Sequence, residues 1–295
     1  MILELLLHIA LASISAEPLI AGVGPAGEIK EAATGFLFTE GPVAGPDGSL
    51  YFSDLYRQRI YQLNADGSNR VILEKSKICN GLVVDRDGKI IGCQGGAGMI
   101  ISVDPNSGAV STVANGYQGV RFNQPNDLIL DATGGFYFTD PVYGVPSKPQ
   151  KTMGLYYVSA DKKVSRVAEE LDLPNGIGLS PDGKTLYVVA MGAKKVLRYP
   201  VEGPGKLGPP TDFCTLDAGG DGMTVDSLGN VYVTQPEFSA IDVFNPEGKK
   251  LGRLTFPAAP ANCAFAGKDG KTLYVTARKS IYAVPMLVSG IIKQE

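Results

Sequence analysis

The sequence predicts an all-β protein, a six-bladed β-propeller in which four-stranded antiparallel blades surround a central channel. Two observations predict this fold: one unit occurs six times, and each copy has a glycine at its ninth position followed by an apolar strand. The starts of the copies lie 40, 46, 49, 46 and 41 residues apart, which is the period of a propeller blade. The copies begin at Glu40, Asn80, Asn126, Asn175, Asp221 and Asn262.

Each copy has the pattern of a β-hairpin followed by two more strands. The ninth-position glycine supplies the positive φ angle that the hairpin turn requires. The strand after the turn is rich in β-branched and aromatic residues, as in LYFSD, FYFTD and VYVTQ. Because a single blade cannot bury both of its faces, the copies must stack against each other. An α/β barrel or a doubly wound sheet is disfavoured, since no window of about 11 residues between the copies has helical periodicity.

The chain before the first copy has two parts. Residues 17–39 are expected to add an outer strand to the last blade. Residues 1–16, MILELLLHIALASISA, have the apolar core and small residues of a secretory signal, although they lack Lys and Arg. The predicted domains are thus a signal peptide over 1–16 and one propeller over 17–295. We expect a secreted or periplasmic protein, or a cytoplasmic one if this segment is not a signal.

Composition excludes several classes of function. The 295 residues have a formal net charge of −3 without a basic patch, so a nucleic-acid partner is not expected. No segment after the N-terminus is apolar enough to span a membrane. The four cysteines form no CxxC pair, so we expect buried free thiols and no zinc knuckle. We expect a monomer or a weak dimer that acts on a small molecule.

The sequence contains a single histidine, His8, which lies in the predicted signal. If that segment is removed, the mature chain has no histidine. Ser-His-Asp and Cys-His catalysis and His-ligated zinc are then excluded. The remaining chemistry belongs to carboxylates, amides, Lys, Arg, Tyr or a hard metal ion.

The first residue of every copy has a carboxylate or an amide side chain. The first strand of a propeller blade lines the channel, so these six residues should converge at one mouth. Asn and Asp also favour turns, but that preference explains neither Glu40 nor the occurrence of all six. Side-chain oxygens of this kind suit Ca²⁺, which takes about 6–8 oxygen ligands. Mg²⁺, Mn²⁺ and Zn²⁺ remain alternatives.

Several segments resemble the SMP-30/gluconolactonase/LRE-like family of six-bladed propellers. They are TEGPV at 39–43, RFNQPNDL at 121–128, FTDPVYG at 138–144, LPNGIGLSPDGKTLYV at 173–188 and DGMTVDSLGNVYV at 221–233. The resemblance implies a calcium-dependent site with metal ligands at Glu40, Asn126, Asn175 and Asp221. It also implies that Arg121 and Asn123 contact the substrate.

The same resemblance implies hydrolysis of sugar (aldono)lactones such as gluconolactone. Asp221 would be the catalytic residue that deprotonates the attacking water; alternatively, it would only orient a metal-bound water. The chain departs from the family at Ala44, where relatives often have Trp, and at Gln94, where several lactonases have His. A phosphotriesterase-like hydrolase on the same metal site and a non-enzymatic propeller that binds a partner are the alternative functions.

Overall fold

A computed structural model describes residues 19–144 and 148–291 and confirms the predicted six-bladed propeller. The predicted signal, residues 1–16, lies outside the described residues. Six antiparallel sheets follow one another around the channel in chain order, and the innermost strands of neighbouring sheets are in contact all around the ring. In the part of the chain that is described, no helix has the length and apolar character needed to cross a membrane.

The first strand of the chain is β1 (Lys30–Thr34), and the blades follow it. In each blade the first strand lines the channel and the later ones lie progressively farther out. The first blade contains β2 (Thr39–Ala44), β3 (Leu50–Asp54), β4 (Arg59–Leu63) and β5 (Asn69–Glu74). The second contains β6 (Cys79–Val84), β7 (Ile90–Gln94), β8 (Met99–Val103) and β9 (Val110–Ala114). The third contains β10 (Leu128–Leu130), β11 (Phe136–Asp140), β12 (Gly154–Val158) and β13 (Val164–Glu169).

The remaining three blades repeat this order with small additions. The fourth contains β14 (Pro174–Leu179), β15 (Thr185–Ala190), β16 (Lys195–Gly203) and β18 (Thr211–Thr215), and β17 (Lys206–Leu207) pairs with the end of β16. The fifth contains β19 (Met223–Val225), β20 (Val231–Gln235), β21 (Ala240–Phe244) and β22 (Lys250–Thr255), with a 3₁₀ helix at Pro236–Phe238. The sixth contains β23 (Pro260–Ala266), β24 (Thr272–Ala277), β25 (Ser280–Pro285) and, outermost, β1.

The two ends of the chain close the ring within the sixth blade. β1 pairs antiparallel with β25, from Lys30 opposite Ala283 to Thr34 opposite Ser280. The hydroxyls of Thr34 and Ser280 lie 2.9 Å apart. This pairing confirms that the residues before the first copy add the outer strand of the last blade.

The hydrophobic core lies between the blades. Each of the six clusters of buried apolar residues combines side chains of two adjacent blades; for example, Tyr137 and Leu155 of the third blade pack with Ile177 and Leu186 of the fourth. Burying each such side chain stabilises the fold by about 1.5–3 kcal/mol. The four cysteines are free, as predicted, and three of them are buried.

Hydroxyl groups on the second strands link alternate pairs of blades. The Ser53 hydroxyl donates to the Asn80 carbonyl oxygen of the second blade at 2.6 Å. The Thr139 hydroxyl donates to the Asn175 carbonyl oxygen of the fourth blade at 2.9 Å. Thr234 donates in the same way to Ala261 of the sixth blade at 2.9 Å. Two of these bonds therefore fix the backbone of a first-position residue.

The repeat contains glycines at the ninth position of each copy and, in four copies, directly after the first position, and the two sets have different structural roles. All six ninth-position glycines have positive φ angles, as the hairpin prediction requires. The glycines after the first positions are instead needed for close approach between blades. A Cβ at Gly176 would lie 2.7 Å from the carbonyl oxygen of Asp221, and one at Gly222 would lie 2.1 Å from Cγ of Asn262. The pair Asn175-Gly176 lies within β14, so turn preference does not explain it.

Adding one methyl group at Gly176 should test this close approach. In Gly176→Ala the backbone of the fifth blade must move, and we expect the free energy of unfolding to fall by about 1–3 kcal/mol or more. Gly203→Ala is the matched control, because a Cβ there meets nothing within 4 Å. Urea unfolding followed by circular dichroism would measure both variants. Equal losses in the two variants would contradict the account.

Candidate functional site

The candidate site lies at one mouth of the channel, where the innermost strands begin. Glu40 and Asn175 lie within β2 and β14, whereas Asn126 and Asp221 come shortly before β10 and β19. The pairing of β2 with β3 shifts register just after Glu40, and β14 has a similar irregularity around Asn175. Such β-bulges re-aim side chains at the start of a strand, which allows these residues to face the axis.

Glu40 and Asp221, on the first and fifth blades, are close enough for their charges to interact. Burial raises the pKa of Glu40 well above its usual value, and the negative charge of Asp221 raises it further. The Gly41 N–H, 2.9 Å from Glu40 Oε2, opposes this shift. Burial also raises the pKa of Asp221 to about 7, although a hydrogen bond from Asn175 lowers it. Ionising both carboxyl groups together is therefore unfavourable without a cation.

Asp127 is a third carboxylate at this mouth, and the sequence pattern did not identify it as a site residue. Its Oδ2 accepts a hydrogen bond from Asn262 Nδ2 at 3.2 Å. These residues belong to the third and sixth blades, which are opposite each other in the ring, so this hydrogen bond crosses the channel. Burial raises the pKa of Asp127 to about 6, and the bond from Asn262 lowers it.

A break in the repeat could have identified Asp127. It occupies the second position of its copy, where four other copies have glycine. The Asp127 side chain lies against the position that a Cβ of Gly81 would occupy. The Asn262 side-chain oxygen is not free to act as a metal ligand, because Oδ1 already accepts a hydrogen bond from the Cys263 N–H at 2.8 Å.

Asn175 and Tyr143 form the polar contact on the fourth-blade side of the site. Asn175 Nδ2 donates to the phenol oxygen of Tyr143 at 2.9 Å. Burial raises the pKa of Tyr143 well above its usual value, and the charges of Asp221 and Glu40 raise it further. The Tyr143 hydroxyl therefore lies beside the same carboxylates as Asn175, although Tyr143 belongs to the loop between β11 and β12.

Asn126 is placed at the same mouth, between the second and third blades. Its backbone N–H donates to the Thr139 carbonyl at 2.9 Å, and its carbonyl accepts from the Gly81 N–H at 2.8 Å. Its side chain is buried, but within the described residues the carboxamide makes no hydrogen bond to protein. The backbone contacts thus hold Asn126 in place and leave its side-chain oxygen available as a ligand.

Arg121 and Asn123 differ in their accessibility. Arg121 is exposed, and its guanidinium contacts the carbonyl oxygens of Phe122 and Asn123 at 3.3 Å. Asn123 is 1% exposed. Its carboxamide accepts from the Gln150 N–H at 3.0 Å and donates to the Thr152 carbonyl at 2.9 Å. Arg121 is therefore available to a ligand, whereas contact of Asn123 with substrate stays a prediction.

The last residue of several second strands holds the loop that leads to a first position. Asp54 accepts from the Leu37 and Phe38 N–H groups at 2.9 and 3.1 Å, and Asp140 accepts from the Asn123 N–H at 2.9 Å. Gln235 Oε1 likewise accepts from the Ala218 N–H at 3.2 Å, whereas Gln94 Nε2 donates to the Ser76 carbonyl oxygen at 3.0 Å. These side chains therefore hold the loops that lead to the first residues of the copies.

The donor set fits a hard cation better than it fits zinc. Across residues 19–144 and 148–291 there is no group of three or more His, Cys, Asp or Glu side chains arranged to hold a metal. A metal at this mouth would therefore need amide oxygens beside the carboxylates. Among the described residues, neither Glu40 nor Asp221 forms an ion pair with Lys or Arg. Buried carboxylates without a partner cation are unfavourable, and bound Ca²⁺ would relieve their repulsion.

Arg278 lies near the site, and the sequence pattern did not identify it. The positive charge of Arg278 lowers the pKa of Asp221, which is otherwise raised by burial. The Arg278 guanidinium lies 5.4 Å from the centroid of the Phe38 ring. Its carbonyl oxygen accepts from the Thr39 N–H at 2.7 Å, next to Glu40. Arg278 thus provides positive charge at the sixth-blade side of the mouth.

Comparisons with known proteins agree with this architecture. Residues 38–279 match the family model of the SMP-30/Gluconolactonase/LRE-like region. The chain is 31% identical over 292 residues to the gluconolactonase of Zymomonas mobilis, with 87% of this chain and 80% of that protein covered. It is 28% identical over 258 residues to the pentonolactonase XacC of Haloferax volcanii, with 80% of each covered. The structure of XC5397, a gluconolactonase of Xanthomonas campestris, matches with a TM-score of 0.82 and 28% identity, covering 88% of this chain and 89% of that one.

The raised pKa of Asp127 predicts how the stability of the metal-free protein depends on pH. In the folded state this pKa is about 6, whereas in an unfolded chain it is about 4. The stability linked to this group is fully present below about pH 4 and is lost as the pH rises through about 6. Chelator-treated Asp127→Asn should therefore lose less free energy of unfolding than wild type between about pH 5 and 7.5, as measured by urea unfolding.

Asp161→Asn is the control for this experiment. Hydrogen bonds from Lys163 and Ser159 lower the pKa of exposed Asp161 to about 2, so both its folded and unfolded values lie below that pH window. Its removal should leave the change in the free energy of unfolding with pH the same as in wild type. If the free energy of unfolding depended on pH equally in Asp127→Asn and wild type, the assignment of this pH dependence to the burial of Asp127 would be wrong.

Proposed function

The chain belongs to the SMP-30/gluconolactonase/LRE-like family, and we propose that it is a metal-dependent lactonase that opens sugar lactones such as gluconolactone. The gluconolactonase and pentonolactonase among its relatives support this substrate class. The observation that carries the metal dependence is the convergence of Glu40, Asp127 and Asp221 at one mouth of the channel.

Glu40, Asn126, Asn175 and Asp221 would hold the metal ion, with Ca²⁺ as the first candidate. Carboxylate and amide oxygens are the ligands that Ca²⁺ prefers, and its irregular coordination tolerates donors from separate blades. When bound, the ion supplies polarisation of the lactone carbonyl. Mg²⁺ and Mn²⁺ are alternatives. Zn²⁺ is a weaker one, because residues 19–291 contain no histidine.

Asp221 is the proposed catalytic residue. The oxygen of the attacking water forms a bond to the carbonyl carbon, and the bond from that carbon to the ring oxygen breaks. Asp221 accepts a proton from the water and returns it to the ring oxygen, which leaves as a hydroxyl group. In the metal-free protein burial raises the pKa of Asp221 to about 7, and a carboxylate with a pKa near neutrality is suited to such a transfer. In the alternative mechanism Asp221 only orients the water, because metal coordination lowers carboxylate basicity.

Arg121 is proposed to hold the substrate. Its exposed guanidinium can bind sugar hydroxyls or the carboxylate formed when the ring opens. Asn123 would contribute by fixing the backbone next to Arg121, since its carboxamide joins that segment to Gln150 and Thr152. Direct contact of Asn123 with the sugar is the second part of this proposal.

Replacing Glu40 should separate metal binding from the fold. In Glu40→Gln the site loses one of its negative charges, and we expect about 10- to 100-fold weaker Ca²⁺ affinity with a corresponding loss of gluconolactone hydrolysis at limiting Ca²⁺. Calorimetric titration and a pH-based assay measure the two quantities. Glu247→Gln, at an exposed turn, is the control. Unchanged Ca²⁺ affinity in Glu40→Gln would contradict the proposed ligand set. Hydrolysis of a phosphotriester but of no lactone by the wild-type protein would favour the phosphotriesterase-like alternative.

Replacing Asp221 tests the choice between base and ligand. Asp221→Asn keeps the size and an oxygen donor but removes the proton acceptor. We expect kcat on gluconolactone to fall by about 10²- to 10⁴-fold at saturating Ca²⁺. Turnover near that of wild type, with metal still bound, would show that Asp221 is not the base.

A further inference from the structure

Tyr143 places a neutral hydroxyl group close to the carboxylates of the proposed site, and neither the metal ligands nor the proposed base accounts for it. Its phenol oxygen lies 2.9 Å from Asn175 Nδ2. The residues that surround it are charged: Asp221, Glu40 and Asp127 all act on its pKa through their negative charge. A tyrosine ring used only for packing would not need its hydroxyl in this position.

The direction of the hydrogen bond leaves the phenol proton unused. Asn175 Nδ2 can only donate, so the Tyr143 oxygen accepts. Within the described residues, the Tyr143 O–H has no acceptor among the protein hydrogen bonds. A phenol has an ordinary pKa of about 10 and holds its proton at neutral pH. The hydroxyl can therefore donate one hydrogen bond to a ligand at the mouth of the channel.

Tyr143 and Gln150 both form hydrogen bonds with the segment that contains Arg121. The Tyr143 N–H donates to Gln124 Oε1. Farther along the same loop, the Gln150 N–H donates to Asn123 Oδ1 at 3.0 Å, and Gln150 Nε2 donates to the Val120 carbonyl at 2.6 Å. These bonds fix Tyr143 and Gln150 relative to the segment that leads into the third blade. The hydroxyl is thus held in place before a ligand arrives, which is the condition for effective stabilisation of developing charge.

From this geometry we propose that Tyr143 is a catalytic hydrogen-bond donor to the lactone group. Its O–H contacts a lactone oxygen on which negative charge develops as water adds and the ring opens. The proton stays on the phenol throughout, so Tyr143 lowers the energy of the transition state without transferring an atom. Asn175 orients the hydroxyl by occupying its acceptor position. This inference rests on the proposed lactonase function.

Tyr143→Phe tests the proposal, because it removes the hydroxyl and keeps the ring. We expect kcat on gluconolactone to fall by about 10²-fold, within the range for loss of one such donor, with KM changed less than about threefold. The Ca²⁺ affinity of chelator-treated protein, measured by calorimetry, should stay within about threefold of wild type. Binding of a non-hydrolysable aldonolactam, which resembles the ground state, should also change by less than about threefold.

Tyr56→Phe is the matched control, since Tyr56 lies on the corresponding loop of the first blade and is 70% exposed. It should leave all four quantities unchanged. A wild-type kcat in Tyr143→Phe would overturn the proposal. So would a loss of Ca²⁺ affinity equal to the loss of kcat, which would show that the hydroxyl only orients Asn175. If the wild-type protein hydrolysed no lactone, the proposed lactonase function would be wrong. If wild type is active and Tyr143→Phe has the same kcat, only the proposed role of Tyr143 is wrong.

Discussion

Repulsion among buried carboxylates at the channel mouth is the interaction on which the rest of the site depends. Glu40 and Asp221 come from different blades, and the fold brings them together. Among the described residues neither forms an ion pair with Lys or Arg, although the charge of Arg278 acts on Asp221. Each carboxylate alone could remain protonated or be solvated. Together they repel each other, and the proposed divalent ion would remove this repulsion and replace their lost hydration.

The architecture of the ring creates this convergence. Neighbouring innermost strands approach so closely that Gly176 and Gly222 have no room for a side chain, and hydroxyls such as Thr139 tie one blade to the next. Apolar clusters between the blades supply the stabilisation that holds the polar mouth together. Stability and function are therefore separated in space: packing lies between the sheets, and the unfavourable charges lie at the axis. This division is common where an active site needs strained or desolvated groups.

The repeat made the fold and the first positions predictable from sequence. A fixed glycine and an alternating strand pattern are local signals, and propeller geometry then places the first residue of each copy at the axis. That reasoning identified Glu40 and Asp221 and predicted the outer strand before the first copy, which the pairing of β1 with β25 confirms. Other features depend on contacts between distant parts of the chain. Asp127 meets Asn262 because the third blade faces the sixth, and the Tyr143 hydroxyl meets the Asn175 side chain of the next blade. The inward orientation of the Asn123 carboxamide follows from packing against a loop about 30 residues later, which no local pattern reveals.

The most direct test of the central claim is a crystal structure grown with Mn²⁺ or Ca²⁺, with anomalous scattering used to locate the ion. The account predicts one strong peak at the axis, with oxygens of Glu40, Asn126, Asn175 and Asp221 about 2.0–2.6 Å away. A well-occupied ion elsewhere, or side chains of these residues turned away from an empty centre at saturating metal, would contradict it.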